Sequence, residues 1–329
     1  MSPQHIDSQK SLVSVIIPTY NRPTYLKQAI ASAIAQTYKN IEIIVSDDCS
    51  PENPQKIIES FQDPRIRFRR NTKNSGISIN VIEAFKQARG EYVTSLNDDD
   101  IWNEDFLEKL VPQLDANRDL VLAFSDHHVM DSDGNIDDAA TEENTKQWKR
   151  DQLTEGVYQP FCEIGIVHQA VPSAVATVIR RNAIEWKDFQ IQMGPFWDLY
   201  LTYLACRNGG GAYYCPERLT KYRVHSQSET MISGKVDAVA KIRKSNASIF
   251  CYRVFMEDER LQQFKSYFRE QWLQAHTTLA IGLLRSEKVS EARPYLLHAL
   301  KQQKFNIRTI AALIISFIPK QVARRLLTN

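Results

Sequence analysis

Apolar and polar positions change period repeatedly along the first 125 residues, and each change marks an element. Val13 to Ile17 (V-S-V-I-I) is a short β-branched run stopped by Pro18, the pattern of a buried strand. After the loop Thr19 to Pro23, apolar residues Leu26, Ile30 and Ile34 recur at every fourth position, which predicts a helix with Pro23 in its first turn. Ile41 to Val45 predicts a second buried strand that ends at S-D-D-C-S-P, Ser46 to Pro51. Lys56 to Phe61 reads as a short helix, and Arg65 to Arg69 alternates as a half-buried strand does. Ser78 to Arg89 predicts a helix closed by Gly90, followed by a strand over Glu91 to Leu96. Asn103 is the expected cap of the next helix, with Glu104 and Asp105 in its first turn, and Leu120 to Phe124 is the last strand of this half.

Strands spaced by helices predict an α/β fold with a mostly parallel, doubly wound sheet. In such sheets ligands sit outside the carboxyl ends of the strands. Pro18–Arg22, Ser46–Ser50 and Asn97–Asp100 each leave a strand at that end, so they are expected to converge, with the loop around Gly76 joining them. Beyond residue 126 the pattern weakens. Asp131 to Gly134 is a turn signal, Ala174 to Arg181 a strand, and Phe196 to Cys206 a helix ended by Gly209, Gly210 and Gly211. Tyr213–Cys215 and Leu219–Val224 read as short strands. Helical patterns follow over Ala240–Arg253, Leu261–Arg285 and Ser290–Gln303. The expected organisation is a polar tail (1–11), a ligand-binding half (12–125), a second half of the same domain (126–235) and a helical extension (236–329).

Composition narrows the function classes. A net charge of +2 argues against nucleic acid as a partner. The five cysteines are scattered without C-x-x-C spacing, which reads as reduced thiols of a cytoplasmic protein. The N-terminal stretch lacks an apolar core of the signal-peptide kind. The longest apolar run, Ile310 to Ile318, is about half of what a bilayer span needs.

The stretch S-L-N-D-D-D-I-W, Ser95 to Trp102, gathers three carboxylates at one strand end. Like charges repel, so the grouping implies a use: hard divalent cations take oxygen ligands, and Mg²⁺ binds through one or two carboxylates plus phosphates. One helix cap explains one aspartate, not three. Asp47 and Asp48 repeat the theme at the neighbouring strand. A carboxylate there can accept an imide N–H, while an Asx-turn into Ser50 is the alternative and suits Asp47 better.

V-I-I-P-T-Y-N-R (Val15 to Arg22), I-I-V-S-D-D-C-S (Ile43 to Ser50) and G-E-Y-V-T-S-L-N-D-D-D-I-W (Gly90 to Trp102) resemble the nucleotide-binding half of family 2 glycosyltransferases. The resemblance spans roughly residues 12–230 and implies a GT-A fold, a nucleotide-diphosphate sugar donor and inversion at the anomeric carbon. It assigns Pro18, Tyr20 and Arg22 to the nucleotide pocket, with Tyr20 against the base, and gives the base's imide to Asp48. The loop K-N-S-G-I-S-I (Lys73 to Ile79), with Asn74 and Gly76, would close over the nucleotide. Asp98 falls on the ribose side and Asp99 on the metal, Mg²⁺ or Mn²⁺; Asp100 is expected at the helix start or behind the metal. Asn97 departs from the pattern, where an aspartate is common, and makes the site less anionic.

Inversion needs a general base for the acceptor hydroxyl. P-F-W-D-L-Y-L-T (Pro195 to Thr202) matches the family's helix-opening aspartate, so Asp198 is the expected base; a carboxylate favouring the helix dipole is the structural alternative. Y-R-V-H-S (Tyr222 to Ser226) resembles a later element near the diphosphate, which points Arg223 at phosphate and His225 at metal or phosphate, although a loop histidine is also simply solvated in many proteins. Trp102 and, better, Trp197 are candidate sugar platforms, with core packing as the alternative. No acidic residue follows Glu291. Arg293, Lys301, Lys304, Arg308, Lys320, Arg324 and Arg325, with Ile310–Ile318, suit peripheral contact with the inner face of a membrane; a helical hairpin packed on the catalytic domain, its charges solvated, is the alternative and fits slightly better. The expected reaction moves a sugar from UDP or dTDP to a saccharide or lipid-linked saccharide acceptor, in cell-surface polysaccharide or glycolipid synthesis. A nucleotidyltransferase is the alternative, although Pro18 to Pro23 lacks a glycine-rich phosphate loop; a silent nucleotide-sugar-binding module is the other.

Overall fold

The computed structural model describes residues 10–228, 231, 237–302, 306–319 and 326. They fall into two compact units: Met1–Asp188 with Leu204–Arg223, and Phe189–Tyr203 with Val224–Asn329.

The first unit is built on a nine-stranded sheet. Its strands are β1 (Val13–Thr19), β2 (Ile41–Asp47), β3 (Ile66–Arg70), β4 (Tyr92–Ser95), β5 (Ile101–Trp102), β6 (Leu120–Met130), β7 (Gly156–Tyr158), β8 (Thr177–Arg180) and β9 (Gly211–Arg223). They lie in the order β3-β2-β1-β4-β8-β6-β9-β5, with β7 also on β9. β3, β2, β1 and β4 are parallel neighbours, as are β6 and β9. The short strands β5, β7 and β8 run the other way.

Alternation along the strands explains why both faces are covered. Val13, Val15 and Ile17 of β1 join Ile41, Ile43 and Val45 of β2 in one core cluster. Against it pack Leu26, Ala29, Ile30 and Ala33 of α1 (Pro23–Ile34) and Phe106, Leu107, Leu110, Val111 and Leu114 of α4 (Phe106–Ala116). Ser14 and Glu42, paired in register, point to the opposite face and share a 2.6 Å hydrogen bond. Burial alone would raise the Glu42 pKa, but bonds from Ser14, the Arg89 amide and Arg67 bring it below the usual range. The short α2 (Gln55–Glu59), α3 (Ile77–Phe85) and α5 (Asp138–Gln147) complete the unit.

Several expectations are corrected. Gly90 does not cap α3, which ends at Phe85. Its place is a close approach: a Cβ there would lie 2.6 Å from the carbonyls of Leu12 and Tyr92. Asn103 is not a helix cap either; it bonds Leu219 and Arg218 of β9, and α4 starts after Asp105. β6 runs on to Met130 across the expected line at 125/126, and the two short strands expected after Tyr213 are one strand, β9. The predominantly polar α5 escapes periodicity because it lacks an apolar face, and the three-residue β7 because it is too short to show one.

In the second unit α6 (Trp197–Cys206) begins, followed by α7 (Ala238–Glu257), α8 (Lys265–Arg285), α9 (Val289–Gln302) and α10 (Ile307–Ile315). Tyr200, Tyr203, Tyr252, Phe255 and Phe268 form an aromatic core with ring centroids 4.6 to 6.3 Å apart. Leu279, Leu283, Ala292, Leu296 and Ala312 form a second cluster between α8, α9 and α10. Among the described residues no helix is long and apolar enough to cross a membrane. Residues 1–9 of the expected polar tail, and Lys304, Lys320, Arg324 and Arg325 of the expected basic surface, lie outside the described residues.

Candidate active site

The ends of β1, β2 and β4 do come together. The Asp98 carboxylate accepts the Thr19 hydroxyl at 2.7 Å, the Tyr20 amide at 3.3 Å and the Arg22 guanidinium at 2.9 Å. Arg22 also reaches Asp99 at 2.7 Å. The next loop is tied in by the Asn21 amide on the Ser50 hydroxyl, 2.8 Å. Asn21 and Cys49 both hold left-handed backbone at φ 56° and 61°, a strain that residues other than glycine tolerate where surroundings impose it. Tyr20 projects its side chain outward, 43% exposed, whereas Pro18 is buried within β1 opposite Ser46.

Charge in this cluster is unbalanced. Burial and the neighbouring Asp99 push Asp98 up to about 6 despite Arg22 and Thr19. Asp100, fully buried, is raised well above the carboxylate range for the same two reasons. Burial lowers the Arg22 pKa, but Asp98 and Asp99 more than offset this and the net shift is upward. Among the described residues three carboxylates stand with one guanidinium, and their oxygens are the right donors for Mg²⁺ or Mn²⁺. Among the described residues no three His, Cys, Asp or Glu side chains close into a ready-made cage. Such a site suits a metal that completes its shell with substrate phosphate and water.

Asp48 is a clasp. One oxygen accepts Asn71 Nδ2 at 2.7 Å and the Ser75 amide at 2.9 Å; the other accepts the Gly76 amide at 2.7 Å. Gly76 opens α3 at φ 85°, a backbone setting that favours glycine. Asp47 instead makes the turn considered for it, accepting the Ser50 amide at 3.1 Å and pairing with Arg70 at 3.3 Å.

Arg223 is not turned toward an open phosphate site. It is buried, and its guanidinium donates to the carbonyls of Asp99, Asp131 and Ser132 and to Gln28 Oε1 at 2.6 to 3.3 Å, over the Tyr25 ring. Its amide holds Asp100 at 2.9 Å, and Asn97 holds the other oxygen at 3.2 Å. Asp100 therefore anchors the end of β9 and not the start of α4. Trp102 is core: it is buried against Phe106 and donates to the Val175 carbonyl at 2.7 Å. Trp197 is buried too.

Asp198 and His225 belong to the second unit. Asp198 stands in the first turn of α6, where its carboxylate accepts the Leu199 amide at 2.8 Å. Burial raises its pKa against that bond and the nearby Lys244, which strengthens it as a base. His225 is buried, and its Nδ1 accepts the Gln227 amide at 3.3 Å.

Sequence reading missed Thr19, Gln28 and Asn71, whose roles depend on partners far along the chain, and also a second ionic group. Asp126 on β6 pairs with Arg150 at 2.6 Å and Arg218 at 3.6 Å, beside His127, where the register of β6 against β9 shifts twice. A β-bulge of this kind re-aims side chains, and it has no sequence signal of its own here.

Solved structures share this architecture. TarS of S. aureus, in complex with UDP-GlcNAc, superposes with TM-score 0.64 at 16% identity, covering 95% of this chain and 91% of that one. The mannosyltransferase PcManGT of Pyrobaculum calidifontis, with GDP-Man and Mn²⁺, gives 0.56 at 15% identity, covering 97% and 85%. A parallel sheet with carboxylates gathered at its strand ends, flanked by helices, makes this a GT-A fold. Residues 14–167, a little under half of the chain, match the family described as Glycosyl transferase family 2. TuaG of Bacillus subtilis, a glycosyltransferase named for teichuronic acid biosynthesis, is 34% identical over 127 residues, 38% of this chain and 50% of TuaG. The chain thus spans about half the length of the curated relatives it matches.

Proposed function

We propose that this protein is an inverting glycosyltransferase that moves a sugar from a nucleotide-diphosphate donor to an acceptor hydroxyl. The observation that carries the reading is the joined strand ends: Asp98 held by Thr19, Tyr20 and Arg22, with Asp99 on the same guanidinium. Tyr20 offers an exposed ring to the base, Asp48 and Gly76 shape the loop over it, and Asp98 faces the ribose. Of the about four lone-pair sites of a carboxylate, Asp48 has three occupied by its loop and one left, on the oxygen that holds Gly76, so it can still accept the imide of uracil or thymine. Mg²⁺ or Mn²⁺ belongs to Asp99; bound there, the cation would supply charge neutralisation for the departing diphosphate. Arg22 adds positive charge beside it. Asp198 takes the acceptor's proton.

UDP or dTDP donors fit the imide-reading carboxylate, and TarS, a neighbour in fold, is seen with UDP-GlcNAc. A saccharide or lipid-linked saccharide acceptor in cell-surface polysaccharide synthesis fits the likeness to TuaG. A thermal-shift panel of UDP, dTDP, GDP and CDP with Mn²⁺ tests the donor half. The matching nucleotide at a hundredfold its dissociation constant is expected to stabilise by about 2.7 kcal/mol; no response to any of the four rejects the reading. Asp198→Asn is expected to fold and to bind nucleotide while losing about 10²–10⁴-fold in turnover. Normal turnover removes Asp198 from the mechanism.

A further inference from the structure

The outer face of α10 has nothing to pack on among the described residues. Its inner face is spoken for: Thr309 is buried with its hydroxyl 2.7 Å from Thr277 of α8, and Ala312 joins the core with α9. Outward, Ile307, Ile310, Ile314 and Phe317 repeat at helical spacing and are 82%, 36%, 60% and 66% exposed. A helix apolar on both faces is normally buried on both. Cations stand at both ends of the stripe. At one end Arg308 lies near Arg285 and Lys241. Burial and the mutual repulsion of these side chains lower the pKa of Lys241 and Arg308, and no carboxylate among the described residues acts on either. At the other end Arg293 lies over the Phe317 ring, 4.1 Å from its centre, and donates to the Ser316 carbonyl at 2.7 Å. The chain has no Asp or Glu after Glu291.

We propose that the outer face of α10, with Lys241, Arg285 and Arg308 beside it, docks on an anionic phospholipid bilayer. The isoleucines and Phe317 enter the acyl boundary while the cations meet phosphate headgroups, the arrangement of an interfacial helix. This deepens the acceptor half of the proposed function, since a lipid-linked acceptor is presented at such a surface. The test needs neither donor nor acceptor, so its failure leaves the transfer reading standing.

Flotation of the full chain with vesicles decides it. Binding is expected to phosphatidylcholine vesicles carrying about 30% phosphatidylglycerol, weakly to pure phosphatidylcholine, and to fall in about 0.5 M NaCl. Lys241→Glu with Arg308→Glu is expected to cut binding about thirtyfold. Ile314→Glu should cut it about tenfold, with Ile314→Ser acting in the same direction should the carboxylate disturb the helix. All variants should keep the wild-type nucleotide response. Equal binding to both vesicle types, no binding to either, or retention by Ile314→Glu overturns the proposal. So does a dimer in sedimentation that Ile314→Glu dissolves, because a second copy would then be what covers the face.

Discussion

At the end of β4, Asp98, Asp99 and Asp100 are buried, and among the described residues the Arg22 guanidinium pairs with Asp98 and Asp99; midway along β6, Asp126 is buried with two, Arg150 and Arg218. The carboxylates respond in opposite directions. Burial and Asp99 drive Asp98 upward, whereas at Asp126 the penalty of burial is outweighed by Arg150 and the other donors and the pKa falls. Among the described residues, one sheet thus holds an acidic group with more carboxylates than cations and another with more cations than carboxylates. The first arrangement is the one the proposed cation and diphosphate would use. The second is what a fold needs to tolerate a buried charge at all.

Asp99→Asn is the sharpest way to break this contrast. Turnover is expected to fall about 10²–10⁴-fold, while the melting temperature holds or rises because a repelling charge is gone. A variant that unfolds but keeps its turnover per folded molecule would make the two clusters alike. At β6 the effect should reverse. Arg150→Met is expected to cost about 3–5 kcal/mol in urea unfolding, since it strands much of the Asp126 charge, and to leave nucleotide affinity of the folded protein unchanged. The smallest effect separates the two by pH. His127 beside Arg150 is held down to about 3, mainly by burial and then by that guanidinium. A histidine with a folded pKa below its unfolded value of about 6.5 contributes stability that is present above that value and lost as pH falls. Urea midpoints are therefore expected to drop between about pH 6.5 and 4, and to drop less in His127→Gln. An equal slope in the variant removes His127 as the source.

What the sequence shows plainly is where strands stop. Apolar runs that give out near Pro18, Ser46 and Asn97 locate three strand ends to within two residues, since β1 continues through Pro18 to Thr19, β2 through Ser46 to Asp47, and β4 stops at Ser95. Parallel topology then brings Asp48, Asp98 and Asp99 onto one edge. What it conceals is the direction of a long side chain once it gets there. Arg223 looks like a phosphate ligand by position but is consumed by three carbonyls and Gln28. Trp102 looks like a sugar platform but has a buried acceptor in Val175, 73 residues away. Arg150 finds Asp126 only because the polar α5, invisible to hydrophobic periodicity, carries the chain back to β6. Each of these is a contact between distant segments, and no local pattern encodes it.

The strut made by Arg223 bears on how the protein comes into being. The amide and guanidinium that steady Asp100 and Asp99 lie more than 120 residues downstream of them, beyond the segment 14–167 that matches the family model. During synthesis the acidic edge is made early but is fastened only when β9 emerges. A fragment cut at residue 167 would carry the whole matched segment yet leave the buried Asp100 without its backbone donor. The matched segment and the shortest length of chain that completes the acidic edge are therefore different.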